Sequence, residues 1–185
     1  MLKTKFIFFY LLICLFTQNV FADEKFLVID KLKTINSLSF EFEQIANDKT
    51  ETGKCILVFD NKLKCNYFDD KQKEILVNGK TLVVIQKKYN KIYYYPLSKS
   101  LFSNILNKEN LINFIKQANL TLDDNINLFV LNESNKIVIL FNKKNYNLLG
   151  WKVEDNSQNI INFSIKITNI NKNYDYNIFT IPQIN

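Results

Sequence analysis

The chain has 185 residues, 47% of them hydrophobic, with 24 lysines, 18 acidic residues, no Arg, no His and a net charge of +6. That length suits one domain around one core. The lack of His removes cysteine–histidine catalysis and the usual zinc sites, and lysines scattered between apolar residues without Arg forks argue against a nucleic-acid site.

The N-terminus reads Met1-Leu2-Lys3-Thr4-Lys5, then apolar from Phe6 to Phe16, then Val20-Phe21-Ala22. A basic start, a short apolar middle and small residues near a cut are the parts of a secretory signal, and the run is too short to span a bilayer. Residues 1–22 are therefore expected to be removed before Asp23, leaving 23–185 as a single domain outside the cytoplasm. Cys14 follows Ile13, where a lipid-modified cysteine wants a small residue, so it reads as part of the signal. No second long apolar run follows it.

Val28, Ile29, Leu32 and Ile35 recur at helical spacing and predict an amphipathic helix over Glu24–Asn36. The period then changes to two: Leu38, Phe40 and Phe42 alternate with polar residues as in a half-buried strand. Gly53–Phe68 reads as a hairpin turning near Asp60-Asn61-Lys62, and Asn78-Gly79 marks a second hairpin between Glu74–Val77 and Thr81–Gln86. Lys91–Tyr95 adds another strand.

From Lys99 to Lys116 the apolar residues return to helical spacing with a break near Asn107, which predicts one or two short helices. Strands follow at Asn127–Leu131, Lys136–Phe141, Leu148–Glu154, Ile160–Thr168 and Tyr176–Ile181. Helices do not alternate with strands, so the expected fold is α+β: a curved antiparallel sheet forming an incomplete β-barrel, covered by a lid of short helices.

The sequence has no nucleophile elbow, phosphate loop or HExxH, and its acid pairs Asp69-Asp70 and Asp123-Asp124 fall in expected turns. No enzyme, cofactor or metal site is expected. Cys55 and Cys65 lie on opposite arms of the first hairpin; pairing of residues whose numbers sum to 120 would set them opposite, where they can form a disulfide or sit as two small buried side chains.

Several segments, in order, resemble the LolA-type periplasmic lipoprotein carriers: Ser37–Gln44, Gly53–Tyr67, Ile75–Leu82, Leu97–Leu106, Leu149–Asp155, Ile160–Ile170 and Phe179–Pro182. The resemblance implies a periplasmic monomer that shields lipoprotein acyl chains in an apolar cavity. It would receive them from an inner-membrane lipoprotein-releasing ABC transporter and deliver them to an outer-membrane acceptor. Phe40, Phe42, Leu57, Phe59, Leu63 and Tyr67 would then line the cavity, and Leu101, Phe102, Ile105 and Leu106 would belong to the lid.

Members of that family commonly carry Arg-Pro late in the first hairpin arm, where the Arg ties the lid; here those positions are Phe59 and Asp60. Lys64 is close in sequence but belongs to the outward face. The rival readings are a sensor domain of the same fold that binds lipid or protein, an enzyme acting on the envelope, and a structural protein with a filled core.

Overall fold

The computed structural model describes residues 20–59, 61–100, 102–131, 135–155 and 159–182. The expected signal lies almost wholly outside them. Helix α1 (Val20–Lys33) begins slightly upstream of the expected cut and ends with Lys31 and Lys33 in its last turn, where cations complement the helix dipole. Val28 and Leu32, together with Ile35 just beyond the helix end, form its buried stripe.

Six strands then meander: β1 (Ser37–Ala46), β2 (Lys49–Val58), β3 (Lys62–Tyr67), β4 (Lys73–Asn78), β5 (Thr81–Gln86) and β6 (Lys91–Pro96). Two helices follow, α2 (Phe102–Leu106) and α3 (Lys108–Gln117). Between them Asn107 caps α3, its side chain accepting from the Asn110 N–H at 2.9 Å, which is the break seen in the sequence. A second meander runs through β7 (Asn119–Leu122), β8 (Asn125–Leu131), β9 (Asn135–Asn142), β10 (Leu148–Asp155) and β11 (Ile160–Ile170).

Among the described residues all eleven strands form one antiparallel sheet in the order β6-β5-β4-β3-β2-β1-β11-β10-β9-β8-β7. The first and last strands meet in its middle, and β6 and β7 form its two edges. The sheet does not close on itself. Because α2 and α3 connect β6 to β7, the helical segment bridges the gap between the open edges.

Alternation sorts the side chains. On the concave face Phe40, Leu57, Leu63, Val77, Leu128, Ile139 and Phe163 join Leu111 and Ile115 of α3 in one buried core. A second, smaller core lies on the convex face, where Leu76, Val83 and Ile85 pack with Tyr94 and Ile181. Among the described residues no helix is long and apolar enough to cross a membrane.

Three sequence expectations change. The β1–β2 turn is made by Asn47 and Asp48 at φ +48° and +59°, the doubly left-handed geometry of a tight hairpin, and it extends β2 back to Lys49. Strand β7 was not anticipated. The strand expected at Tyr176–Ile181 is instead a 3₁₀ turn over Tyr176–Phe179, started by Asp175, whose carboxylate accepts from the Asn177 N–H at 2.9 Å. That local bond competes with strand pairing, and the fully buried Phe179 pins the segment to the convex face.

Candidate functional site

Strand register builds a line of aromatic rings across the concave face. Phe42 stands opposite Gly53, which in turn stands opposite Tyr67. With no side chain at Gly53, the Phe42 ring lies over the β2 backbone and meets Tyr67 edge-on, with ring centroids 4.8 Å apart. On its other side Phe42 stacks on Phe163 at 4.9 Å, and Phe163 stacks on Trp151 at 4.2 Å. Each such pair contributes about 0.5–1.5 kcal/mol beyond its burial, so the four rings stiffen this face.

Beside this line a small apolar cavity lies between sheet and helices. Its sheet side is made by Phe40, Leu57, Leu63, Leu148, Trp151 and Phe163, together with Cys55 and Cys65. Its cover is Ile105 and Leu106 of α2. Cys55 and Cys65 are directly opposed in the β2–β3 register and joined by a disulfide, with Cα atoms 4.1 Å apart. The cavity is nearly shut, at about 10 Å³, which is room for roughly one water. Pockets that hold organic ligands are typically about 300–1,000 Å³, so a larger guest requires the helices to move.

The cover is held by separate ties. The Asn61 N–H, in the β2–β3 turn, donates to the Leu106 carbonyl at the end of α2 at 3.0 Å. The Lys108 ammonium donates to Asn36 Oδ1 at 3.2 Å and stands 5.4 Å from the Phe59 ring centroid. At the far end of α3, Lys25 Nζ of α1 donates to the carbonyls of Lys116 and Ala118, groups a helix terminus leaves unpaired. Lys64 lies on the convex face, 3.7 Å from Glu74, and takes no part.

Charges near the ring line are neutralised. Lys73 Nζ sits 3.7 Å from the Tyr67 ring centroid and 2.8 Å from Glu51 Oε2. Burial pushes the Glu51 carboxyl up, but hydrogen bonds and charge from Lys73 and Lys49 outweigh it and hold the group below its ordinary value. Burial, then the charges of Glu51 and Asp69, push the Tyr67 phenol well above its usual range, so it stays neutral.

The structure distributes the residues expected at the site. Phe40, Leu57 and Leu63 line the cavity, Phe42 and Tyr67 lie in the ring line, and Phe59 is half-buried against the core beneath Lys108. Ile105 and Leu106 cover the cavity; Leu101 and the side chain of Phe102 lie outside the described residues. Sequence reasoning overlooked Leu148, Trp151 and Phe163, which reach the cavity only because β11 pairs with β1.

The sequence model of a family described as "Outer membrane lipoprotein carrier protein LolA" matches residues 33–182. No curated protein matches by sequence. Solved structures share the fold at low identity. An uncharacterized conserved protein from Thermus thermophilus is 8% identical with a TM-score of 0.56, covering 88% of this chain and 94% of its own. The Mycobacterium tuberculosis lipoprotein LppX is 10% identical with a TM-score of 0.51, covering 86% and 99%. A chain of the Pseudomonas aeruginosa MucA/MucB complex is 12% identical with a TM-score of 0.52, covering 86% of this chain and 61% of its own.

Proposed function

Given that the chain belongs to the LolA family of outer-membrane lipoprotein carriers, we propose that it binds the acyl chains of lipoproteins beneath α2 and α3 and carries them across the periplasm. The supporting observation is the apolar space shut between the ring-lined sheet and α2, within the helical segment that joins the sheet's open edges. At about 0.8 kcal/mol per CH₂, a chain of roughly 15 methylenes costs on the order of 12 kcal/mol to expose to water. A mobile carrier therefore needs an enclosed apolar site with a movable cover, which binds by burial and can release.

In this reading residues 1–22 direct export and are removed before Asp23. An inner-membrane ABC transporter loads the carrier, an outer-membrane acceptor unloads it, and the work is binding rather than catalysis. The test is intact mass spectrometry of the protein isolated from the periplasm of its host while delivery to the outer membrane is blocked. The expected result is a mature chain starting at Asp23 with bound triacylated protein. Repeated recovery of empty protein under that block would count against the carrier role.

A second reading is a lipid- or protein-binding sensor domain. It draws support from MucB, which shares this fold, and from the existence of a MucA/MucB complex. Capture of one envelope protein without acyl chains in the same experiment would favour it.

A further inference from the structure

One edge of the sheet is chemically unlike the other. From Ile75 to Asn107 the chain carries Lys80, Lys87, Lys88, Lys91 and Lys99 and no Asp or Glu. The fold gathers these lysines around β6. Lys87 and Lys88 form the 3₁₀ turn before it and Lys91 begins it, while Lys80 and Lys99 flank its far end, where the Leu97 N–H donates to the Lys80 carbonyl at 2.8 Å. Lys87 is neutralised by Glu74 at 2.8 Å. Among the described residues no carboxylate lies within ion-pair distance of Lys80, Lys88, Lys91 or Lys99.

Between the lysines stand aromatic side chains open to solvent. Tyr93 and Tyr95 share the concave face with their register partners Val84 and Leu82, yet are 39% and 49% exposed. Tyr89 and Ile92 are exposed beside them, whereas Tyr94 turns to the convex face and donates to the Pro182 carbonyl at 2.8 Å. The opposite edge, β7, has no lysine and leads into Asp123-Asp124.

We propose that the β6 edge is a docking surface for an anionic phospholipid membrane. Tyr is favoured where an apolar ring meets head groups, and lysines beside it are drawn to negative lipid. Charge complementarity selects this occupant over a strand-adding peptide: Lys at the start of the strand and Pro96 at its end are features that discourage edge pairing. Docked there, the protein presents the gap between its edges, and the helices across it, to the lipid. The inference needs no bound cargo, so it stands or falls apart from the carrier reading.

The test is flotation of the protein, purified as the cell accumulates it, with vesicles of phosphatidylcholine containing one-third phosphatidylglycerol at low salt. Binding is expected there, and not to phosphatidylcholine alone or at high salt. Lys88→Gln, Lys91→Gln and Lys99→Gln together should weaken it roughly 100-fold, at about fivefold per lysine. Tyr93→Ser with Tyr95→Ser should weaken it at unchanged charge. A charge-matched control, Lys136→Gln, Lys144→Gln and Lys166→Gln, should bind nearly as the parent does. Absence of binding to the anionic vesicles, equal loss in the control, or capture of an extended peptide by this edge without vesicle binding would each overturn the proposal.

Discussion

The Phe42 ring occupies the space that a side chain at position 53 would fill. A Cβ built on Gly53 falls 2.6 Å from Phe42 Cε1 and 2.3 Å from the Asn66 carbonyl oxygen. Gly53 is therefore the gap through which β1 and β3 exchange an aromatic contact. Gly53→Ala should cost about 1–3 kcal/mol, the usual range for overpacking a close contact. Urea unfolding measures the loss, and near-ultraviolet circular dichroism should weaken as the ring line is disturbed.

The Cys55–Cys65 bond closes a loop with a sequence separation of 10. By chain entropy such a loop contributes up to about 3 kcal/mol, and less where the hairpin already forms in the unfolded chain. Reduction, or Cys55→Ala with Cys65→Ala, should lower the urea midpoint while leaving the fold intact. Because Cys55 and Cys65 both line the cavity, the double alanine variant should also bind an environment-sensitive apolar dye more strongly.

Leu106 is buried under the sheet while its carbonyl takes the Asn61 N–H. Leu106→Ala removes the buried side chain and keeps the backbone tie. The expected cost is about 2–5 kcal/mol. Hydrogen exchange should accelerate first in α2 and α3 and only later in β1 and β11, since the helices lie over the gap and the central strands are paired on both sides. Uniform acceleration would mean that the cover does not open separately.

Glu51 contributes a pH dependence of known sign. Its carboxyl is held below the ordinary value of 4.5 in the folded chain, so its stabilising effect is present above that value and is lost as pH falls through the lower folded value. Lys73→Met removes its main partner. Between neutral pH and pH 3 the variant should lose less stability than the parent, as read from unfolding midpoints across that range.

Where local pattern decides structure, the sequence was readable. The two-period run of Leu38, Phe40 and Phe42, the Asn78-Gly79 hairpin and the helical spacing through Ile105, Leu111 and Ile115 all carry their own physical cause. Asn47-Asp48 was missed because it turns the chain without a glycine, using two side chains that tolerate positive φ. The four residues of β7 are too few to establish a period. Trp151 and Phe163 were missed as cavity residues for another reason: their place beside Phe42 and the β3 hairpin follows from the pairing of β11 with β1, which no local signal encodes.

That pairing has a consequence in time. Leu38 is held to Ile170 across nearly the whole chain, so the middle of the sheet is the last part that a chain emerging N-terminus first can complete. The β1–β6 meander can form while its neighbour strand is still absent, exposing a long unpaired flank on β1. Contacts so distant in sequence fold slowly, and an open flank invites association. Folding of this protein should therefore be limited by arrival of its C-terminal strand, and truncation before Ile160 should yield aggregates rather than a smaller half-barrel.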